Sequence, residues 1–168
     1  MGKSRPVVYL DTCVIIEAHR VKCWKQLAAQ NELHTVRECY DELAGGNPRD
    51  PDYIAVDQRQ IALDMAIHDC APRQRIAAAT RAATFGGLDA GEMGLLAWCA
   101  DQDPQAMIIT TGDRAAIVAA CELGLRNNLQ SLEEIAKGMR PRSTLQRHFC
   151  RKWLAEVCRS FALDNVAH

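Results

Sequence analysis

The chain has 168 residues, enough for one domain with an ordinary core and too few for several. Hydrophobic residues make up 48% and charged residues 24%, the balance of a globular protein, and no apolar run reaches the roughly 18 residues of a membrane span. The net charge of −1 is unevenly divided: residues 126–168 hold eight Lys/Arg against four Asp/Glu, or +4, which leaves −5 for residues 1–125.

Val7–Leu10 is rich in β-branched side chains and reads as a buried strand. Thr12 is placed to cap a helix over 14–29. Residues 33–36 form a second strand, followed by a helix over 37–43 that Gly45 and Gly46 stop. Pro48 and Pro51 mark a loop, and residues 53–68 are helical by pattern. Pro72 fits the first turn of a helix running to about residue 84, broken by Gly86 and Gly87. Residues 88–100 read as a helix entered through Asp89, with Met93, Leu96, Ala97 and Ala100 on one face. A third strand covers 107–111, a helix over 114–123 is closed by Gly124, and 125–129 suits a short edge strand. Ser131 with Glu134 matches a capping box. Gly138 and Pro141 separate that helix from a last one over 144–163, whose Leu145, Phe149, Trp153, Val157 and Phe161 recur about every four residues. Strands alternating with helices give an α/β class with a parallel sheet.

Four carboxylates fall where this chain passes one edge of that sheet: Asp11 after the first strand, Glu42 beyond the second, Glu92 in Leu88-Asp89-Ala90-Gly91-Glu92, and Asp113 after the third. Parallel strands present ligand sites at their carboxyl ends. Acids gathered there repel one another unless cations compensate them, and hard oxygen donors suit Mg²⁺ or Mn²⁺. A divalent-metal site for phosphate chemistry is the most economical reading. The bland alternatives are specific. An Asp after a strand is commonly a helix cap, and Asp89 with Glu92 matches a capping box. Glu38 and Glu42 lie four apart on one helix face, so the second acid is ambiguous between them.

Other chemistries find little support. The eight cysteines contain no Cys-x-x-Cys spacing, and His19, His34, His68, His148 and His168 are scattered, which argues against zinc. There is no P-loop, no Gly-x-Gly-x-x-Gly and no Gly-x-Ser-x-Gly elbow. Asp11-Thr12-Cys13 lacks the second Asp of an Asp-x-Asp nucleophile motif. Lys3 and Arg5 precede only a short apolar stretch broken by Asp11, so no signal peptide is expected, and free thiols in a reducing cytoplasm are the simplest account.

Over residues 7–135 the chain resembles the PIN-domain ribonucleases, a family that includes VapC-like toxins. The resemblance lies in the order and context of the acids: a strand ending in Asp11-Thr12, Glu42-Leu43 beyond a second strand, a Leu-Asp-x-Gly-Glu turn carrying Asp89 and Glu92, and a strand running into Thr111 and Asp113. It implies an α/β/α sandwich of the PIN type over 1–138, with an extra basic amphipathic helix appended in 139–168. It also implies an endoribonuclease that hydrolyses phosphodiester bonds of single-stranded RNA with Mg²⁺ or Mn²⁺ held by Asp11, Glu42, Glu92 and Asp113, with Asp89 a further candidate ligand. Thr12 and Thr111 would orient those ligands from behind. Cys13 stands where the family often has Ser or Asn, and Glu92 where an Asp is more usual. Membership would make the protein a candidate toxin of a toxin–antitoxin pair, with a small antitoxin as partner, and a candidate homodimer.

Arg140, Arg142, Arg147, Arg151 and Lys152 form a run without acids. A solvated helix face is the bland reading. The sharper one has Arg147, Arg151 and Lys152 contact an RNA backbone that an acidic cleft alone would repel. Two other functions stand against the nuclease: a PIN-like module that binds RNA or protein without cutting, and another α/β enzyme using one metal on a phosphorylated small molecule.

Overall fold

A computed structural model describes residues 5–139 and 141–166, the side chains of 165 and 166 aside; Arg140 and His168 lie outside these. Four parallel strands form one sheet in the order β3-β2-β1-β4: β1 (Val7–Leu10), β2 (Glu32–Val36), β3 (Met65–His68) and β4 (Ile108–Thr110). The chain adds β2 and β3 on one side of β1, then crosses back to lay β4 on the other. The gap between β1 and β4 is therefore a topological switch point, where a parallel sheet opens a crevice at its carboxyl end.

Side chains alternate across β1 as a strand requires. Val8 and Leu10 are fully buried on one face among Val14, Ile15, Leu27 and Ile61, whereas Tyr9 faces Val36, Leu96 and Ile109 on the other. The first face is covered by α1 (Thr12–Arg20), α2 (Trp24–Gln30) and α4 (Gln58–Asp64), and the second by α5 (Pro72–Ala79), α6 (Ala90–Cys99) and α7 (Arg114–Glu122). Two-sided burial explains why the strands read as continuous apolar runs. Each fully buried Leu or Ile contributes about 1.5–3 kcal/mol before entropy is counted. The expected α/β class with a parallel sheet flanked by helices is what the chain forms.

Several boundaries differ from expectation. The helix expected over 53–68 is only α4, and its last four residues are β3. Met65 leaves the helix at φ −144° and the strand pairs with β2. Leu63, inside the expected helix, is 82% exposed. The single helix expected over 14–29 is broken into α1 and α2 at Lys22, whose φ of 62° is left-handed. Asp11, not Thr12, caps α1. The edge strand expected at 125–129 is a 3₁₀ turn over Arg126–Asn128 with one bridge from Leu129 to Ile109.

The tail differs most. Before α9 (Arg151–Val166) the chain is a strap, not a helix, with a 3₁₀ turn at Arg147–Phe149. The strap crosses α1: Arg142 N–H donates to the Val21 carbonyl, the Arg20 guanidinium to the Thr144 carbonyl, and Gln146 N–H to the Glu17 carboxylate at 2.8 Å. Phe149, buried at its end, lies so close to Gly112 that a Cβ there would meet the ring at 2.5 Å. Leu154, Val157 and Cys158 of α9 then bury against Ile117 and Cys121 of α7, while Trp153 is only half-buried. No helix among the described residues is long and apolar enough to cross a membrane.

Candidate functional site

Each crossover starts a helix at the carboxyl edge of the sheet, and each start needs an acceptor for its free N–H groups. Asp residues supply three of them. Asp11, directly after β1, caps α1. Asp113, three residues beyond β4, caps α7 through Oδ1, which accepts from Ala115 N–H at 2.6 Å and Ala116 N–H at 3.1 Å. Asp89 and Glu92 form a reciprocal capping box on α6: Asp89 Oδ1 accepts from Glu92 N–H at 2.8 Å, and Glu92 Oε2 from Asp89 N–H at 3.1 Å. The capping roles are thus real at all of these positions. They occupy one oxygen each. Asp113 Oδ2, Asp89 Oδ2 and Glu92 Oε1 accept no hydrogen bond from the described residues.

Thr111 ties the two strands of the switch point together. Its hydroxyl donates to Asp11 Oδ2 at 2.7 Å and accepts from Asp113 N–H at 3.1 Å. The Cys13 thiol also donates to Asp11 Oδ2, at 3.2 Å, so this cysteine supplies a hydrogen bond to the carboxylate instead of weakening one. Cys39 approaches Oδ1 at 3.8 Å. Cys39 went unremarked in the sequence, which carries no signal that a thiol on α3 (Arg37–Glu42) would reach the end of β1.

Glu38 and Glu42 have different surroundings. Glu38 is ion-paired with Arg75 of α5 and lies against Gly94. Glu42 turns toward the other acids: Oε2 accepts from the Thr12 hydroxyl at 2.7 Å and Oε1 from Gly91 N–H at 3.1 Å. Gly91 is the glycine of the Asp-x-Gly-Glu turn, and its importance becomes visible only here. A Cβ at Gly91 would lie 2.7 Å and 2.8 Å from the two Glu42 oxygens.

The electrostatics mark these carboxylates as one group. Burial pushes the Glu92 carboxyl up to about 7, against the hydrogen bond from Asp89 N–H, and the charges of Asp113, Asp89 and Asp11 add to the rise. Burial likewise raises Asp11, opposed by its hydrogen bonds from Thr111, Cys13 and Thr12. Among the described residues, no Lys, Arg or His forms an ion pair with Asp11, Glu42, Asp89, Glu92 or Asp113. Nor do any three His, Cys, Asp or Glu side chains among them close into a finished ligand set. The acids therefore share one edge and one field without forming a preassembled cage.

The basic residues of the tail stand at the surface. Arg147 pairs with Glu156 at 3.2 Å and Arg151 with Glu134 at 3.6 Å, with Arg side chains 80% and 78% exposed. Lys152 is exposed on α9. A cavity of about 1040 Å³ lies away from the site acids; Arg5, His19, Lys22, Trp24, Lys25 and Arg142 are among the residues around it. Compared with known proteins, the chain matches no family model and no curated protein.

Proposed function

We propose that this protein is a divalent-cation-dependent endoribonuclease acting on single-stranded RNA, as its resemblance to the PIN-domain ribonucleases implies. One observation carries the reading: the carboxylates at the switch point between β1 and β4, Asp11 and Glu92 buried among them, have no ion-paired cation among the described residues, and burial together with the charges of Asp113, Asp89 and Asp11 pushes Glu92 up to about 7. The donor set fits Mg²⁺ or Mn²⁺, because every candidate atom is a carboxylate oxygen and the caps leave one oxygen free on Asp89, Glu92 and Asp113. A bound cation would neutralise charge on the scissile phosphate and supply an activated water.

The chain's own residues do the rest. Asp11, Glu42, Glu92 and Asp113 would hold the cation, with Asp89 a further ligand. Thr111 and Cys13 fix the Asp11 carboxylate by hydrogen bonds, and Thr12 and Gly91 fix Glu42, so that these acids keep one orientation. Phe149 against Gly112 holds the loop between Thr111 and Asp113 in place. Arg147, Arg151 and Lys152 offer the cationic surface that a polyanion needs beside an acidic cleft. The reading extends to a homodimeric toxin restrained by a small antitoxin protein.

The test is cleavage of single-stranded RNA by purified protein. Mg²⁺ or Mn²⁺ should support it, chelator should stop it, and Asp11→Asn should remove it. Cation-independent cleavage, or full cleavage by Asp11→Asn, would overturn the reading. RNA binding without cleavage would leave a PIN-like module that docks RNA.

A further inference from the structure

Cys121 lies on the face of α7 that meets α9, and Cys158 lies on the facing surface of α9. Ile117, Leu154 and Val157 surround them. The two thiols pack in one cluster, and each acts on the other's ionisation, as the Arg126 side chain acts on that of Cys158. At 8% and 7% exposure the two residues lie at the seam between the helices and are not fully sealed from solvent. We propose that Cys121 and Cys158 are a redox modification site, a thiol pair that closes to a disulfide joining α9 to α7 when a peroxide oxidises it.

The surroundings divide the labour between the two sulfurs. The Cys121 thiol lowers Cys158 to about 7, and Arg126 works in the same direction against burial. The same pairing raises Cys121, which keeps its proton. A thiolate with a pKa near ambient pH is the better attacking group. Elsewhere, burial pushes Cys13, Cys39 and Cys99 up, which disfavours reaction there.

The chemistry balances with a peroxide as oxidant. The Cys158 thiolate attacks one peroxide oxygen, the O–O bond breaks, and a sulfenic acid forms as hydroxide leaves. The Cys121 sulfur then attacks the Cys158 sulfur, its proton leaves with the departing hydroxyl as water, and the S–S bond closes. Two thiols are oxidised by two electrons, and one hydrogen peroxide is reduced to two waters. The closed pair would bind the C-terminal helix covalently to α7, whose first turn is capped by Asp113. This inference does not depend on the nuclease reading.

The test uses the full chain, treated with hydrogen peroxide while folded, then unfolded in urea, alkylated with N-ethylmaleimide, digested and mapped by mass. One cross-linked peptide pair holding Cys121 and Cys158 should appear, two hydrogens lighter than the separate peptides and released by dithiothreitol, with the other six cysteines alkylated. Cys121→Ser should leave Cys158 as a sulfenic acid that dimedone traps. Arg126→Gln should slow alkylation of Cys158 at pH 7 in the untreated protein. The inference is overturned if both thiols alkylate like the rest after peroxide, if either pairs with another cysteine or a second copy, or if Cys158 proceeds to sulfinic acid while Cys121 stays free. The wild-type mapping decides the matter even where a variant fails to fold.

Discussion

Asp11 and Glu17 are both buried carboxylates, one capping α1 and one within it, and their surroundings are opposite. Glu17, 2% exposed, receives the Arg20 guanidinium at 2.6 Å through both oxygens and a backbone N–H from the strap. Asp11, 5% exposed, receives three hydroxyl or thiol donors and a backbone N–H, and the charge that acts on it is that of another acid, Asp89. A carboxylate that holds a fold together brings a cation with it, as Glu17 and Glu38 do. Asp11 and Glu92 have the burial without a counter-charge among the described residues. Such an arrangement costs stability in the isolated chain, and a cation from solution would offset that cost.

The largest expected effect tests this contrast directly. Asp11→Asn should reduce metal-dependent RNA cleavage to the background of a no-protein control. In urea unfolding its stability should stay within about 1 kcal/mol of the parent, because the neutral amide removes a repelled charge. If the variant instead unfolds, Asp11 belongs with Glu17 as a structural group. Glu17→Ala should do the reverse. Leaving Arg20 and the strap N–H without their acceptor should cost about 3 kcal/mol in the same unfolding experiment, with cleavage per folded molecule preserved.

Gly91→Ala separates position from charge. Alanine suits a helix better than glycine by up to about 1 kcal/mol, so stability should hardly fall. Its Cβ, however, would displace the Glu42 carboxylate, and cleavage should drop by about a hundredfold if that carboxylate orients the site. Undiminished turnover would remove Glu42 from the machinery.

The pH profile sharpens the comparison more gently. Glu92 has a folded pKa of about 7 against 4.5 unfolded, so the folded state binds its proton more tightly. Its contribution is fully present below about pH 4.5 and is lost as pH rises toward 7. Asp11, also raised by burial, shifts the balance the same way. Metal-free protein should therefore lose melting temperature across that window, and millimolar Mn²⁺ should restore it at pH 7. A profile that is flat, or unmoved by the cation, would speak against a shared site.

The smallest effect is at the tail. Charge reversal at Arg147 and Arg151 breaks two exposed ion pairs, each worth about 0–1 kcal/mol, and should barely change stability. The salt dependence of RNA binding should nevertheless flatten by roughly one unit of slope per lost phosphate contact. An unchanged slope returns these residues to the role of a solvated face.

Local chemistry determined a good part of this protein. The apolar runs of β1, β2 and β4 specify buried strands, and Gly124 and the Ser131–Glu134 box end and start helices where expected, because caps and stops act within one helical turn. The same locality made Asp11, Asp89, Glu92 and Asp113 legible as acids that follow strands or open helices. Other features are decided over distances that periodicity does not carry. Met65 to His68 become a strand because β2 offers an unpaired edge, against the helical pattern read over 53–68. Residues 144–150 become a strap because Glu17, Arg20 and Gly112 hold them down, although their apolar spacing is helical. Only the tertiary structure assigns Glu38 to Arg75 and turns Glu42 toward Thr12 and Gly91, since two acids on one helix face differ only in what the neighbouring helices present to them.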